Sequence, residues 1–159
     1  MVTIDKTSKI KNLSTEECLR VLANNHIGKL GYIYANWPFI TPITYFHDAE
    51  EKCIISYSAE GHKMYAMGMY GKVALQVDEI SGMKKWKSVL VQGEFEQLKG
   101  SSAKHYLHRF TEGVRDCITK KGVETPEYIQ DFSSKLTDRG IPLVYKISIS
   151  DLVGKYRDQ

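Results

Sequence analysis

From His26 to Leu98 the chain is broken into short β-branched and aromatic runs separated by turn residues, and this pattern limits the fold more than any other feature. His26 to Tyr34 reads as a strand with interspersed glycines, and Asn36-Trp37-Pro38 as a turn. Phe39 to Phe46 is a second strand, Asp48 to Glu51 a polar turn, and Lys52 to Ser58 a third strand. Gly61 to Met69 reads as a short helix that buries Met64 and Met67. Gly71 to Asp78 returns as a strand, Ser81-Gly82 turns, and Trp86 to Leu98 is a long strand with Gly93 as a candidate bulge. Such lengths and spacings describe an antiparallel meander. An open meander leaves unpaired strand edges, and closure into a barrel protects them.

The flanking segments are helical. Residues 1–12 are polar and read as a flexible arm, leaving 13–159 as a single domain. In Leu13-Ser14-Thr15-Glu16-Glu17-Cys18, Ser14 can cap a helix, Glu17 occupies the capping-box position and Leu13 can staple onto Cys18. Cys18, Leu19 and Leu22 are expected to form its apolar stripe. Ala103, Leu107, Phe110, Val114 and Ile118 recur at helical steps. Thr125-Pro126 starts another helix, with Ile129, Phe132 and Leu136 on its apolar face. Ile141 to Ile149 alternates again and reads as a last strand rejoining the sheet. The expected fold is mainly β with helical additions, a barrel assembled from antiparallel strands.

A chain of 159 residues, 42% hydrophobic and 26% charged, has the composition of one soluble domain. It has no apolar run of the roughly 20 residues a membrane span requires. Met-Val-Thr-Ile-Asp-Lys-Thr-Ser-Lys lacks the apolar core of a secretory signal, so a cytoplasmic location is expected, with no membrane partner. Cys18, Cys53 and Cys117 are far apart and include no C-x-x-C pair, so free thiols are expected rather than a metal site or a disulfide framework. A net charge of +3 suits an anionic ligand. Nucleic acid would call for a denser basic face than Lys84-Lys85-Trp86-Lys87, which reads as a solvated hairpin end.

The stretch Ile54-Ile-Ser-Tyr-Ser-Ala-Glu-Gly-His-Lys63 carries the most chemistry. A strand ends in a hydroxyl and small residues, turns at a glycine and presents a basic pair. A helix start offers unpaired N–H groups and the positive end of a dipole, which together receive a phosphate. Ser58 can donate a hydroxyl hydrogen bond, Lys63 can supply charge, and His62 can do either. The same order also fits an ordinary strand–helix joint with a surface lysine.

Five motifs in order carry a family likeness. They are His26-Ile-Gly-Lys-Leu-Gly, Pro38-Phe-Ile-Thr-Pro-Ile-Thr-Tyr-Phe-His-Asp48, Ile55-Ser-Tyr-Ser-Ala-Glu-Gly-His-Lys63, Val73-Ala-Leu-Gln-Val-Asp78 and Trp86-Lys-Ser-Val-Leu-Val-Gln-Gly-Glu-Phe-Glu96. Together they resemble the FMN-binding split-barrel superfamily. Within it the chain is similar to the pyridoxamine 5′-phosphate oxidase-related proteins, in the branch that includes nitroimidazole-resistance proteins. The resemblance implies a homodimer with two FMN molecules at the subunit interface. It implies that Pro42, Ile43 and Thr44 lay a strand backbone along the flavin ring, and that Tyr57 and Ser58 end the strand meeting the phosphate. His62 and Lys63 match the family's phosphate-binding Arg-Lys pair, with His in place of Arg. Ser88 aligns with a polar flavin contact, and Trp86, two residues earlier on the same face, walls the pocket or packs at the dimer contact. The Trp and Arg of the oxidases' C-terminal segment have no counterpart in Ile149 to Gln159, where Lys155 and Arg157 read either as part of a solvated tail or as candidates for a substrate or phosphate contact.

The implied activity is that of an oxidoreductase passing electrons from NADH or NADPH to a small flat acceptor, nitroaromatic or quinone-like. A flavin-binding or redox-sensing module without turnover is the alternative, because one fold serves both.

Overall fold

The computed structural model describes residues 9–121 and 143–159. The expected helix after Thr125-Pro126 lies outside the described residues. In chain order the elements are β1 (Lys11–Asn12), α1 (Thr15–Asn24), β2 (Ile27–Tyr34), β3 (Trp37–Thr44), β4 (Phe46–Asp48), β5 (Cys53–Ser58), α2 (His62–Met69), β6 (Lys72–Gly82), β7 (Lys85–Gln97), α3 (Gly100–Lys120) and β8 (Leu143–Arg157).

Local sequence explains several of these. Ser14 Oγ accepts from the Glu17 N–H at 3.2 Å, and the Glu17 carboxylate reaches back to the Ser14 N–H, a complete capping box for α1. The face α1 buries is Cys18, Val21 and Leu22; Leu19 points outward at 37% exposure, contrary to the expected stripe. Between β2 and β3 the turn is Ala35-Asn36, both at positive φ, the two-residue geometry whose twist matches the flanking strands. Trp37 and Pro38 therefore belong to β3 rather than to the turn.

The sheet has the order β3-β2-β6-β7-β8-β5-β4, all antiparallel, with β1 added beside β8. Its two edges, β3 and β4, are consecutive in the chain, joined through Tyr45. One bent segment thus closes the sheet on itself, and the barrel is split where β3 leaves β5. Tyr45 anchors the bend: its N–H donates to the His26 carbonyl at 2.8 Å and its buried hydroxyl to the Leu22 carbonyl at 2.8 Å. No run of sequence signals this bend, because Phe39 to Phe46 is continuously apolar and β-branched.

Two further expectations are corrected. Lys11 and Asn12, assigned to the arm, pair with Tyr156 and Lys155. The C-terminal tail is strand: β8 continues to Arg157 and pairs along β7 as far as Trp86. Gly93 does mark an irregularity, since β7 and β8 shift register between Gln92 and Gly93. A Cβ there would collide with the Ser148 carbonyl and lie 2.6 Å from Ile147 Cγ2, so only glycine fits.

One core fills the barrel, around Leu30, Tyr45, Met67, Leu75, Val89 and Ile147. A second lies under α3, where Leu107, Phe110, Val114 and Ile118 cover Ile55 and Val144. Asp48, fully buried, ties this layer together: the Arg109 guanidinium grips it in a bidentate pair at 2.6 and 2.9 Å, and it accepts from the N–H groups of Glu50 and Glu51.

Candidate functional site

The split is a cleft with β3 on one side and the β5–α2 junction on the other. At one end Ser56 Oγ donates to the Thr44 carbonyl at 2.7 Å. At the other, the His62 ring lies against Phe39, centroids 5.0 Å apart. Along β3 the hydrogen-bonded partners of β2 alternate, beginning with the turn-closing pair Tyr34–Trp37. By that alternation Pro38, Ile40, Pro42 and Thr44 direct their backbone groups away from β2. Two of the four are prolines, which have no N–H to leave unpaired, so this edge is chiefly a row of carbonyls.

Across the cleft, α2 begins in an unusual way. Gly61 is its N-cap, no side chain caps it, and no acidic residue occupies its first turn. That turn carries His62 and Lys63 instead. Basic side chains at a helix N-terminus oppose the macrodipole and leave the first N–H groups without an acceptor. Lys63 is half-buried, and among the described residues it has no hydrogen-bond or ion-pair partner. Burial pushes its ammonium pKa down. Each of these features disfavours the empty junction, and a bound anion would relieve all of them. The residues present therefore fit a phosphate.

Gly61 itself is not in a left-handed turn. Its φ of 168° is extended backbone, contrary to the expected tight turn. A Cβ at Gly61 would meet nothing within 4 Å, so the space at the helix start is open. His62 is held in an aromatic cluster. Its Nδ1 lies 3.3 Å from the Tyr32 hydroxyl, and its ring meets Tyr34 edge-on at 4.6 Å.

The structure separates the sequence-derived residues. Pro42 and Thr44 lie on the edge of β3 turned away from β2, and Ser58, His62 and Lys63 lie at the β5–α2 junction. Ile43 points its side chain into the barrel core, and by the register its backbone pairs with Gly28, so it offers the cleft neither. Tyr57 turns toward α3, stacking edge-on with Phe110 at 5.3 Å. Ser58 Oγ donates to the neighbouring Ala59 carbonyl at 2.9 Å.

Trp86 and Ser88 lie elsewhere in the protomer, on the outer face of the sheet. Ser88 sits between Asp78 and Lys155, accepting from Gln76 Nε2 at 3.1 Å, and Trp86 sits between Ile80 and Arg157. The side chains of Pro42 and Thr44 share this outer face, opposite Lys29 and Ile27. A groove of about 660 Å³ runs along the same face over Gly31, Ile40, Ala74 and Gln92, and contains none of the nine residues. Sequence reasoning missed this groove, and it missed Tyr32 and Phe39 as supports of His62.

The fold and cleft define a split barrel with an anion-receptive helix start. The family model described as pyridoxamine 5′-phosphate oxidase matches residues 14–146, and the chain belongs to that family. An uncharacterized protein from Rhizobium meliloti is 32% identical over 97 residues, covering 61% of this chain and 63% of that relative's length. The chain thus matches less than two-thirds of that protein. Among solved structures, a FAD-binding protein from Mesorhizobium loti superposes with a TM-score of 0.67 at 26% identity, covering 94% of this chain and 98% of that one. A candidate 5-nitroimidazole antibiotic resistance protein from Bacteroides thetaiotaomicron gives a TM-score of 0.65 at 12% identity, over 92% of this chain and 88% of the other. At that identity the likeness concerns the fold alone.

Proposed function

We propose that this protein binds a flavin nucleotide in the split, phosphate on the N-terminus of α2, and acts as an oxidoreductase. The observation that carries the reading is the first turn of α2: uncapped, basic, and holding a half-buried Lys63 with no partner among the described residues. Lys63 and the first N–H groups of α2 would hold the phosphate, with Ser58 and His62 beside it. The outward carbonyls of β3 at Ile40 and Pro42 would accept hydrogen bonds from the ring system. A bound flavin would supply the redox chemistry, and the protein would supply position, hydrogen bonds and exclusion of water.

FMN is the first reading of the cofactor, since one phosphate suffices for the first turn of α2. FAD is the second reading, favoured by the FAD-binding Mesorhizobium loti protein. Electrons would pass from NADH or NADPH to a small flat acceptor, nitroaromatic or quinone-like. A homodimer completes the proposal. Trp86 and Ser88 do not reach the cleft of their own protomer, and they serve it only if a second copy presents its outer face. Ile27, Leu90 and Val153, exposed on that face at 57%, 37% and 52%, are apolar enough for such a contact. The reducing cytoplasm, where such donors occur, is the location this reading entails. None of the helices among the described residues is long and apolar enough to cross a membrane.

The test is an absorption spectrum of the purified protein with added FMN or FAD, before and after anaerobic NADPH. Flavin bands that bleach support the oxidoreductase. Flavin that binds and stays oxidised with NADPH and NADH favours the storage or sensing module. A protein that takes up neither flavin contradicts both.

A further inference from the structure

Within the proposed phosphate site, the basic pair is not two equivalent cations. Lys63 supplies an ammonium, whereas His62 is a side-chain type that changes charge between pH 5 and 8. The surroundings of His62 are specific. The Tyr32 hydroxyl is 3.3 Å from Nδ1, and Tyr32 is buried and stacked on Phe39 at 5.5 Å with their planes 10° apart, so the hydroxyl is held in place. With Nδ1 engaged by Tyr32, Nε2 is the nitrogen left for a ligand. The ring also packs against Tyr34 and Phe39.

The charges around it matter equally. From β2 it faces the phenols of Tyr32 and Tyr34, and from β3 the uncharged Phe39. On its own element Lys63 follows it, Tyr65 packs on Tyr34, and Glu60 lies two residues earlier. Among the described residues no carboxylate pairs with the imidazole. An imidazolium here therefore has aromatic faces to rest on but no anion of the protein's own. Its counter-charge has to arrive with the ligand.

We infer that His62, positioned by the Tyr32 hydroxyl, is a protonation-coupled phosphate ligand that makes the grip on a phosphorylated ligand tighten as the pH falls. This rests on the phosphate reading of the cleft. Tyr32 acts as a positioning residue: it donates to Nδ1 of the neutral ring and accepts from the Nδ1–H of the charged one, leaving the Nε2–H for the phosphate in both states. The proton comes from solvent when the dianion binds and returns to solvent when it leaves. Where Arg would hold the phosphate with its charge at every pH, His loses its charge at alkaline pH and keeps only a neutral hydrogen bond.

The experiment compares FMN with riboflavin, which lacks the phosphate, by calorimetric titration from pH 6 to 8.5 in two buffers of different ionisation enthalpy. Wild type is expected to take up protons on binding FMN and none on binding riboflavin. His62→Asn is expected to abolish most of that uptake and to weaken FMN about three- to tenfold at pH 6, with little change at pH 8.5. Tyr32→Phe, which keeps the ring and its stacking, is expected to weaken FMN severalfold at pH 6 and leave riboflavin unchanged. His62→Arg should bind FMN with a flattened pH profile. Proton uptake unchanged in His62→Asn overturns the inference, as does a Tyr32→Phe protein that loses FMN and riboflavin equally. If wild type does not distinguish FMN from riboflavin, the phosphate reading itself fails. If it does, and Lys63→Gln removes the preference while the histidine variants keep the wild-type pH profile, only the role of His62 fails.

Discussion

Ser56 Oγ donates to the carbonyl of Thr44 at 2.7 Å, tying β5 to β3 at the point where the two strands part. The bond fixes the apex of the cleft, because Thr44 ends β3 and the next residue, Tyr45, carries the bend into β4. Ser56 is buried, so removing its hydroxyl leaves the Thr44 carbonyl short of a partner. Ser56→Ala is expected to lower stability by about 1–3 kcal/mol in a urea titration and to weaken flavin binding, since the cleft opens from this end.

Lys63 gives a prediction with opposite signs for stability and binding. A half-buried ammonium at a helix N-terminus without a partner disfavours the free fold, whereas it holds the bound phosphate. Lys63→Gln is expected to melt at the same or a higher temperature than wild type without flavin, and to lose about tenfold or more in FMN affinity. A thermal melt and a fluorescence titration on the same sample check both halves.

Asp48 and Arg109 anchor α3 to the β4–β5 hairpin. Burial alone would raise the Asp48 carboxyl pKa; the Arg109 guanidinium and the N–H groups of Glu51 and Glu50 outweigh it and hold it below the usual carboxylate range. A depressed folded pKa stabilises fully above the ordinary carboxylate pKa of about 3.9, and that contribution is lost as pH falls through the folded value. Arg109→Met strands a buried carboxylate and is expected to cost about 3–5 kcal/mol near neutral pH. In Asp48→Asn the acid limb of the stability–pH curve should flatten below about pH 4. Denaturant titrations across pH measure both effects.

The proposed dimer is tested on the outer face. Leu90 lies in register with Gln76 and Val153 on the outer face of the sheet and is 37% exposed. Leu90→Glu changes no core contact and is expected to leave the fold intact while producing a monomer in sedimentation analysis. On this account the monomer also binds flavin more weakly, because the partner's Trp86 and Ser88 are withdrawn from the cleft.

What could be read in the sequence was what is local. The capping box of α1 needs only Ser14 and Glu17, and it formed as expected. Strand alternation in Val73 to Asp78 and in Trp86 to Leu98 reports one buried face directly. The basic pair at 62–63 was visible because residue type and helix start sit side by side. What was hidden depends on distant pairing. Residues 151–157 look like a solvated tail because Asp151, Val153 and Lys155 are exposed, yet β7 supplies their backbone partners. Tyr57 has the composition of a cleft residue, but α3 packs on its side of β5 and claims the ring. The support of His62 by Tyr32 spans 30 residues and is set by the crossing of α2 over β2, which no spacing encodes.

The most direct measurement of the central claim is the ratio of FMN to riboflavin affinity in wild type and in Lys63→Gln, titrated by flavin fluorescence at constant pH and salt. A phosphate seated on the first turn of α2 predicts that wild type prefers FMN by at least about tenfold and that the preference largely collapses in the variant. Equal affinities for the two ligands in wild type, or a preference untouched by Lys63→Gln, would contradict it.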